Sequence, residues 1–181
     1  MLLFLKESFR NIQQTGAVVA SSPQLARTML RVIDFRQSLS IVELGAGTGS
    51  ITRQLLRQMN DRSRLRSFEI NPVLTARLER LSDPRLDIFQ AGAEAVNHYC
   101  PLHSVDYIVS GLPLANMSYA QKSAILDASL AVLKPGGYYI QFQYSLNDLS
   151  LLQQRFGEVR WGFTWLNLPP AFVYYAKKEG A

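Results

Sequence analysis

A glutamate followed by three glycines at alternate positions marks Val42–Ser50, VELGAGTGS. Glycines at 45, 47 and 49 let the backbone turn sharply and approach a bound molecule with no side chain in the way. A helix after such a loop offers its first, unpaired N–H groups to the same molecule. The dinucleotide fingerprint G-x-G-x-x-G does not fit, because its third glycine would fall at Ser50. A second acid, Glu69, ends the next strand-like run in SFEIN. A carboxylate there can accept both hydroxyls of a ribose. A third stretch, VSGLPL (109–114), stops a strand abruptly at Ser110-Gly111 and stays apolar through Leu112 and Leu114, where a surface loop would turn polar. The three stretches are candidates for ligand contact.

Alternating strand and helix signals must position them. SIVEL (40–44), RLRSFEI (64–70), RLDIFQ (85–90) and VDYIVS (105–110) read as buried strands. Ile51, Leu55, Leu56 and Met59 share a helical face over 49–59, Pro72 suits a first helical position, and Ser118 suits the cap of a helix over 118–133. KPGG (134–137) predicts a helix stop and a turn before a fifth strand, YYIQFQY (138–144). A helix near 146–155 and a hairpin across Asn167-Leu168-Pro169-Pro170 complete the chain. Repeated strand–helix units predict an α/β fold with an open, mostly parallel sheet covered by helices on both faces. Ligands then sit at the carboxyl ends of the strands, where strand order reverses.

Composition narrows the classes. With 181 residues, 48% hydrophobic and 18% charged, the chain suits one domain with a sizeable core rather than disorder. No apolar run approaches the roughly 20 residues of a membrane-spanning helix. The single Cys100 excludes an internal disulfide. The net charge of +5 is concentrated in residues 1–39 and in Arg53, Arg57, Arg62, Arg64 and Arg66. Such charge attracts nucleic acid or an anionic membrane, or is simply a solvated face.

The E-x-G-x-G-x-G loop, Glu69 and LKPGGYYI together resemble class I S-adenosylmethionine-dependent methyltransferases. The resemblance implies a Rossmann-like seven-stranded fold with a C-terminal antiparallel hairpin, and S-adenosylmethionine as cofactor with S-adenosylhomocysteine as product. It implies that Glu43, Gly45, Ala46, Gly47, Thr48, Gly49, Glu69 and Ile70 hold the cofactor, with Glu43 ordering the loop. The family usually carries an aspartate after the third strand to read the adenine amine. Here QAGAEA puts Gly92 at that place, leaving either Glu94 or the backbone of Ala93 to serve, or Glu94 as a mere helix-start acid. Nitrogen methyltransferases often carry Asn/Asp-Pro-Pro-Tyr or Asn-Leu-Pro-Tyr after the fourth strand. SGLPL keeps Leu-Pro and lacks both Asn and Tyr, which argues against a flipped nucleobase.

Four segments narrow the resemblance to bacterial phospholipid N-methyltransferases: TGAVVASSPQLARTM (15–29), VELGAGTGSIT (42–52), VSGLPL and WLNLPPAFVYYAKK (165–178). This implies methylation of phosphatidylethanolamine and its mono- and dimethyl derivatives toward phosphatidylcholine. Ornithine-lipid N-methylation and rRNA adenine N-methylation are the alternatives. Gly16, Ser21 and Ser22 are expected to cover the cofactor, and Ser110, which also borders it, to form the acceptor corner with Gly111 and Leu112. Aromatic faces suit a quaternary product. Tyr119, Tyr144, Trp161 and Trp165 are candidates, with Tyr144 preferred at the end of the fifth strand. Residues 1–14 form a basic amphipathic pattern, with Leu2, Leu5 and Phe9 on one face and Lys6 and Arg10 largely opposite. The expected organisation is a single domain: membrane-binding helix 1–14, cofactor-covering segment 15–36 and catalytic core 37–181. The expected partners are an anionic membrane surface and an amine-containing phospholipid, with no stable nucleic-acid partner. The protein is expected to be a cytoplasmic monomer at the inner face of the membrane, requiring no metal.

Overall fold

The computed structural model describes residues 22–165, 167 and 169–180. Seven strands form one sheet: β1 (Ser40–Leu44), β2 (Arg64–Phe68), β3 (Leu86–Phe89), β4 (Val105–Ser110), β5 (Leu133–Gln143), β6 (Glu158–Thr164) and β7 (Ala171–Lys177). Their order is β3-β2-β1-β4-β5-β7-β6. β1 to β5 pair in parallel, and β7 runs antiparallel between β5 and β6.

Helices cover both faces, as the apolar strand runs require. α1 (Pro23–Leu30) and α2 (Ser50–Gln58) bury Leu25, Met29, Ile51 and Leu55 with Ile41, Val109, Ile140 and Tyr175 on one face. On the other, α4 (Val96–Tyr99), α5 (Tyr119–Val132) and α6 (Leu149–Phe156) pack Val96, Leu126, Leu152 and Phe156 on Leu44, Ile108, Tyr139 and Tyr174. α3 (Pro72–Glu79) links β2 to β3. The helix starts follow local chemistry. Ser22 caps α1, Asn71 caps α3, and Ser118 with Gln121 forms a reciprocal capping box on α5.

One expectation changes. KPGG does not form a turn ahead of β5; it is the first part of that strand. Gly136 adopts φ +78° and donates its N–H to Lys178 O, while Lys178 donates to Gly137 O. A Cβ on Gly137 would stand 2.9 Å from Asp106 O. The glycines let the strand begin early and close to β4, with a register shift at Val105–Tyr107.

The reversal of strand order falls between β1 and β4. From β1 the chain leaves toward the face of α1 and α2; from β4 it leaves toward the face of α5. The two carboxyl ends, Leu44 and Ser110, are register partners. The glycine loop and the SGLPL corner are thus brought face to face.

Candidate functional site

The loop after β1 is held open by its glycines. Gly45, Gly47 and Gly49 have φ of +72°, +57° and +78°, values that side-chain-bearing residues rarely adopt. Gly45 and Ala46 donate to Phe68 O at the end of β2. Glu69, next to Phe68 and nearly buried, reaches across: its Oε2 accepts from Gly47 N at 2.8 Å, and its Oε1 from Asn71 N at 2.9 Å. Each oxygen retains a second lone pair, so the carboxylate is fixed in place with acceptor capacity for two hydroxyls. Ile70 beside it is 70% exposed, an apolar face at the mouth of the crevice.

Glu43 lies beneath the loop. Its Oε2 accepts from Thr52 Oγ1 and Ser67 Oγ, both at 2.7 Å. Its Oε1 is buried without a partner among the described residues. Burial raises its pKa, and the two hydroxyl bonds partly offset this. Glu43 joins the strand β1, the helix α2 and the strand β2 around the loop.

On the β3 side, Gly92 and Glu94 act together. A Cβ placed on Gly92 would lie 2.6 Å from the Glu94 carboxyl carbon. The exposed Glu94 therefore folds back over Gly92, into the space that a side chain at 92 would take. Glu94 is also the acid in the first turn of the short helix capped by Gly92, so this position fits both of its expected roles. Ala93 is buried in the short 3-10 turn Ala93–Ala95.

The SGLPL corner closes the crevice. Gly111 donates to Leu44 O at 2.8 Å, and a Cβ on it would stand 2.9 Å from Gly45 O. In turn, a Cβ on Gly45 would stand 2.8 Å from Leu112 Cδ2. Gly111 is required by the close approach of the Gly45 carbonyl, and Gly45 by its left-handed φ beside Leu112. Ser110 is fully buried and its hydroxyl accepts from Leu112 N at 3.4 Å, so it braces the corner from behind. The Leu112 carbonyl accepts from Leu114 N and from Gln141 Nε2, both at 2.9 Å. Leu112 is accordingly a positioning residue, whereas the Gly111 carbonyl accepts no hydrogen bond among the described residues.

Gln141 is the residue that sequence reasoning missed. Fully buried on β5, it donates to Leu112 O and to Phe142 O at 2.8 Å and accepts from Tyr139 OH at 2.9 Å. Burial pushes the Tyr139 hydroxyl well above its usual pKa, against a hydrogen bond with Ser110, so this network stays neutral. Its only sequence signal was a polar residue inside the apolar strand YYIQFQY.

Phe142 and Tyr144 flank the corner, with Phe142 Cε1 3.9 Å from a Cβ built on Gly111 and the two rings edge to face at 5.8 Å. The Tyr144 hydroxyl bonds to Asn167 in the hairpin turn, while burial raises its pKa. The other aromatic candidates stand apart. Tyr119 lines a separate cleft with Lys122 and Asp148. Trp161 and Trp165 belong to β6 and its turn, and β6 runs about 10 Å from β5 across the sheet. Ser22 accepts from Leu25 N as the α1 cap. Gly16, Ser21 and the segment 1–14 lie outside the described residues. Three arginines of the basic run serve the fold, binding Thr48 O, Pro84 O and Ser40 Oγ from Arg53, Arg64 and Arg66. No cluster of three or more metal-ligating side chains occurs among the described residues.

Comparison with known proteins agrees with this geometry. A family model described as "Methyltransferase domain" matches residues 41–137. The chain is 28% identical to the ornithine lipid N-methyltransferase of Singulisphaera acidiphila, over 97% of this chain and 94% of that protein. Among solved structures it resembles precorrin-6y C5,15-methyltransferase from Geobacter metallireducens (TM-score 0.71, 16% identity, 90% of this chain and 92% of that one). It also resembles a SAM-dependent methyltransferase from Aquifex aeolicus (TM-score 0.67, 14% identity, 84% and 88%). The structural likenesses establish the fold expected from the sequence, seven strands with a C-terminal antiparallel hairpin.

Two substitutions test the site. Gly111→Val should lower methyl transfer by about 100-fold or more, because the corner must move off Gly45 and a shift of about 1 Å costs that much; a wild-type rate would show that the corner does not border the reaction. Glu69→Ala should weaken S-adenosylhomocysteine binding by about 10- to 100-fold, the loss of charged hydrogen bonds, as read by titration calorimetry. Unchanged affinity would remove Glu69 from the cofactor site.

Proposed function

The chain belongs to the methyltransferase-domain family and is an S-adenosylmethionine-dependent methyltransferase, and from that premise we propose that it methylates the head-group amine of a membrane lipid. The observation carrying this reading is the full-length likeness to an ornithine lipid N-methyltransferase, which makes ornithine lipid the first substrate to test. Phosphatidylethanolamine and its methylated derivatives, leading toward phosphatidylcholine, are the second reading. They are supported by the Gly-Ala-x-x-x-Ser-Ser pattern at 16–22 and the Asn-x-Pro-Pro-Ala turn at 167–171.

The residues fit the cofactor. Three left-handed glycines leave room for its close approach, Glu69 is fixed with two oxygens ready for the ribose, and Ile70 and Glu94 border the place of the adenine. When bound, S-adenosylmethionine supplies a methyl group activated by its sulfonium.

The chain's own task is to present a neutral amine. The Leu112–Pro113–Leu114 corner excludes water, and desolvation lowers the amine's pKa and favours its uncharged form. The Gly111 carbonyl accepts an N–H of the amine and orients its lone pair toward the methyl. Gln141 fixes that carbonyl's direction by tethering Leu112 to β5. Each transfer leaves one proton for solvent. Once the nitrogen has no N–H to donate, the face of Phe142 or Tyr144 is its partner.

Among the described residues, no helix is long and apolar enough to cross a membrane. Access to a lipid then calls for a surface contact, to which the amphipathic pattern of residues 1–14, with Leu2, Leu5, Lys6, Phe9 and Arg10, contributes in this reading. The test is incubation with isotopically labelled S-adenosylmethionine and vesicles of phosphatidylglycerol containing either ornithine lipid or phosphatidylethanolamine, followed by mass analysis. The expected result is label in successive methyl increments on one amine lipid. Label on added RNA, with none on either lipid, would overturn the reading.

A further inference from the structure

The edge strand β6 and its turn carry a row of rings that the site does not use. Trp161 and Phe163 alternate along β6 and so project from one face, and Trp165, just past its end, packs on Phe163. Phe172 of β7 lies opposite Phe163. The rings are contiguous: Trp161 to Phe172 is 5.7 Å between centroids, Phe172 to Phe163 is 4.9 Å, and Phe163 to Trp165 is 4.6 Å. Phe163 and Phe172 are half-buried and form the base. Trp161 and Trp165 project, 49% and 78% exposed.

The other side of the same edge is basic. Gly162 has no side chain where the Arg31 guanidinium packs, 2.8 Å from the place of a Cβ. Arg27 on α1 and Arg31 just past its end are exposed, and Arg160 is exposed on β6, where Glu158 is the single acid and is paired with it. Indole rings combine an apolar body with an N–H donor and gather where apolar matter meets water, and arginines favour anionic head groups.

Position selects the occupant. Phe172 pairs with Gln143, at the carboxyl end of β5, so the turn end of the hairpin lies at the same end of the sheet as Gly111. Asn167 in that turn is buried and bonds to Tyr144 beside the corner. A lipid whose acyl chains remain in the bilayer must meet the corner at the head-group plane, and at that end of the sheet this aromatic hairpin forms the edge beyond β5. We infer that the Trp161–Phe163–Trp165–Phe172 ridge docks the protein on an anionic bilayer and holds the acceptor corner at the level of the amine. This inference rests on the lipid reading of the site.

The chain contains only these two tryptophans, so their fluorescence reports the ridge alone. The full chain is mixed with vesicles of phosphatidylglycerol and phosphatidylcholine, which contain no amine substrate. The expected result is a blue shift, with quenching by lipids brominated on their acyl chains. In the Trp161→Ala/Trp165→Ala variant, vesicle binding should fall about tenfold or more, from the loss of two buried aromatic side chains. Its affinity for S-adenosylhomocysteine and its methyl transfer to detergent-dispersed amine lipid should remain within about twofold of wild type, as fits exposed residues away from the corner. Vesicle binding with unshifted, unquenched tryptophans, vesicle binding unchanged in the variant, or no vesicle binding at all would each overturn the inference. Absence of methyl transfer to every amine lipid, dispersed or in vesicles, would instead overturn the substrate reading.

Discussion

The site depends on one close approach between two backbones. Gly111 stands where any Cβ would press on Gly45 O, and Gly45 stands where any Cβ would press on Leu112. Neither element can back away, because Gly111 N is bonded to Leu44 O and Gly45 N to Phe68 O. The sheet supplies the register that makes this possible, with Leu44 beside both Ser110 and Phe68. In the proposed reading, the loop that takes the cofactor and the corner that takes the acceptor are therefore directly joined, which suits a direct transfer between two bound molecules.

The support behind the corner is polar and neutral. Gln141 spans Tyr139, Leu112 and Phe142, and Ser110 braces Leu112. A buried network with its partners in place fixes position without placing a charge beside the corner. On the β3 side, Glu94 leans over Gly92 and occupies the space that a side chain at 92 would take.

Much of this was legible in the sequence, for physical reasons. Apolar runs fixed by burial marked β1 and β4 with their observed bounds, and Ser118 and Pro72 marked helix starts because capping and a fixed φ are local effects. The glycine loop and Glu69 were recognisable because their roles depend on residue type and short spacing. What escaped depended on distant partners. KPGG reads as a turn until Lys178 pairs with Gly136 and Gly137 across 40 residues of chain. Gln141 looks like ordinary strand alternation until the fold brings Leu112 O to it. Trp161 and Trp165 suggest ammonium partners by type, while sheet order sets them on the far edge.

The most direct measurement is a crystal structure of the protein with S-adenosylhomocysteine. The expected structure has the ribose on Glu69, the adenine between Ile70 and Glu94, and the sulfur facing the Gly111 carbonyl across a space the size of a methyl group and an amine. A product bound with its sulfur turned away from Gly111, or with its ribose off Glu69, would contradict the claim that loop and corner form one transfer site.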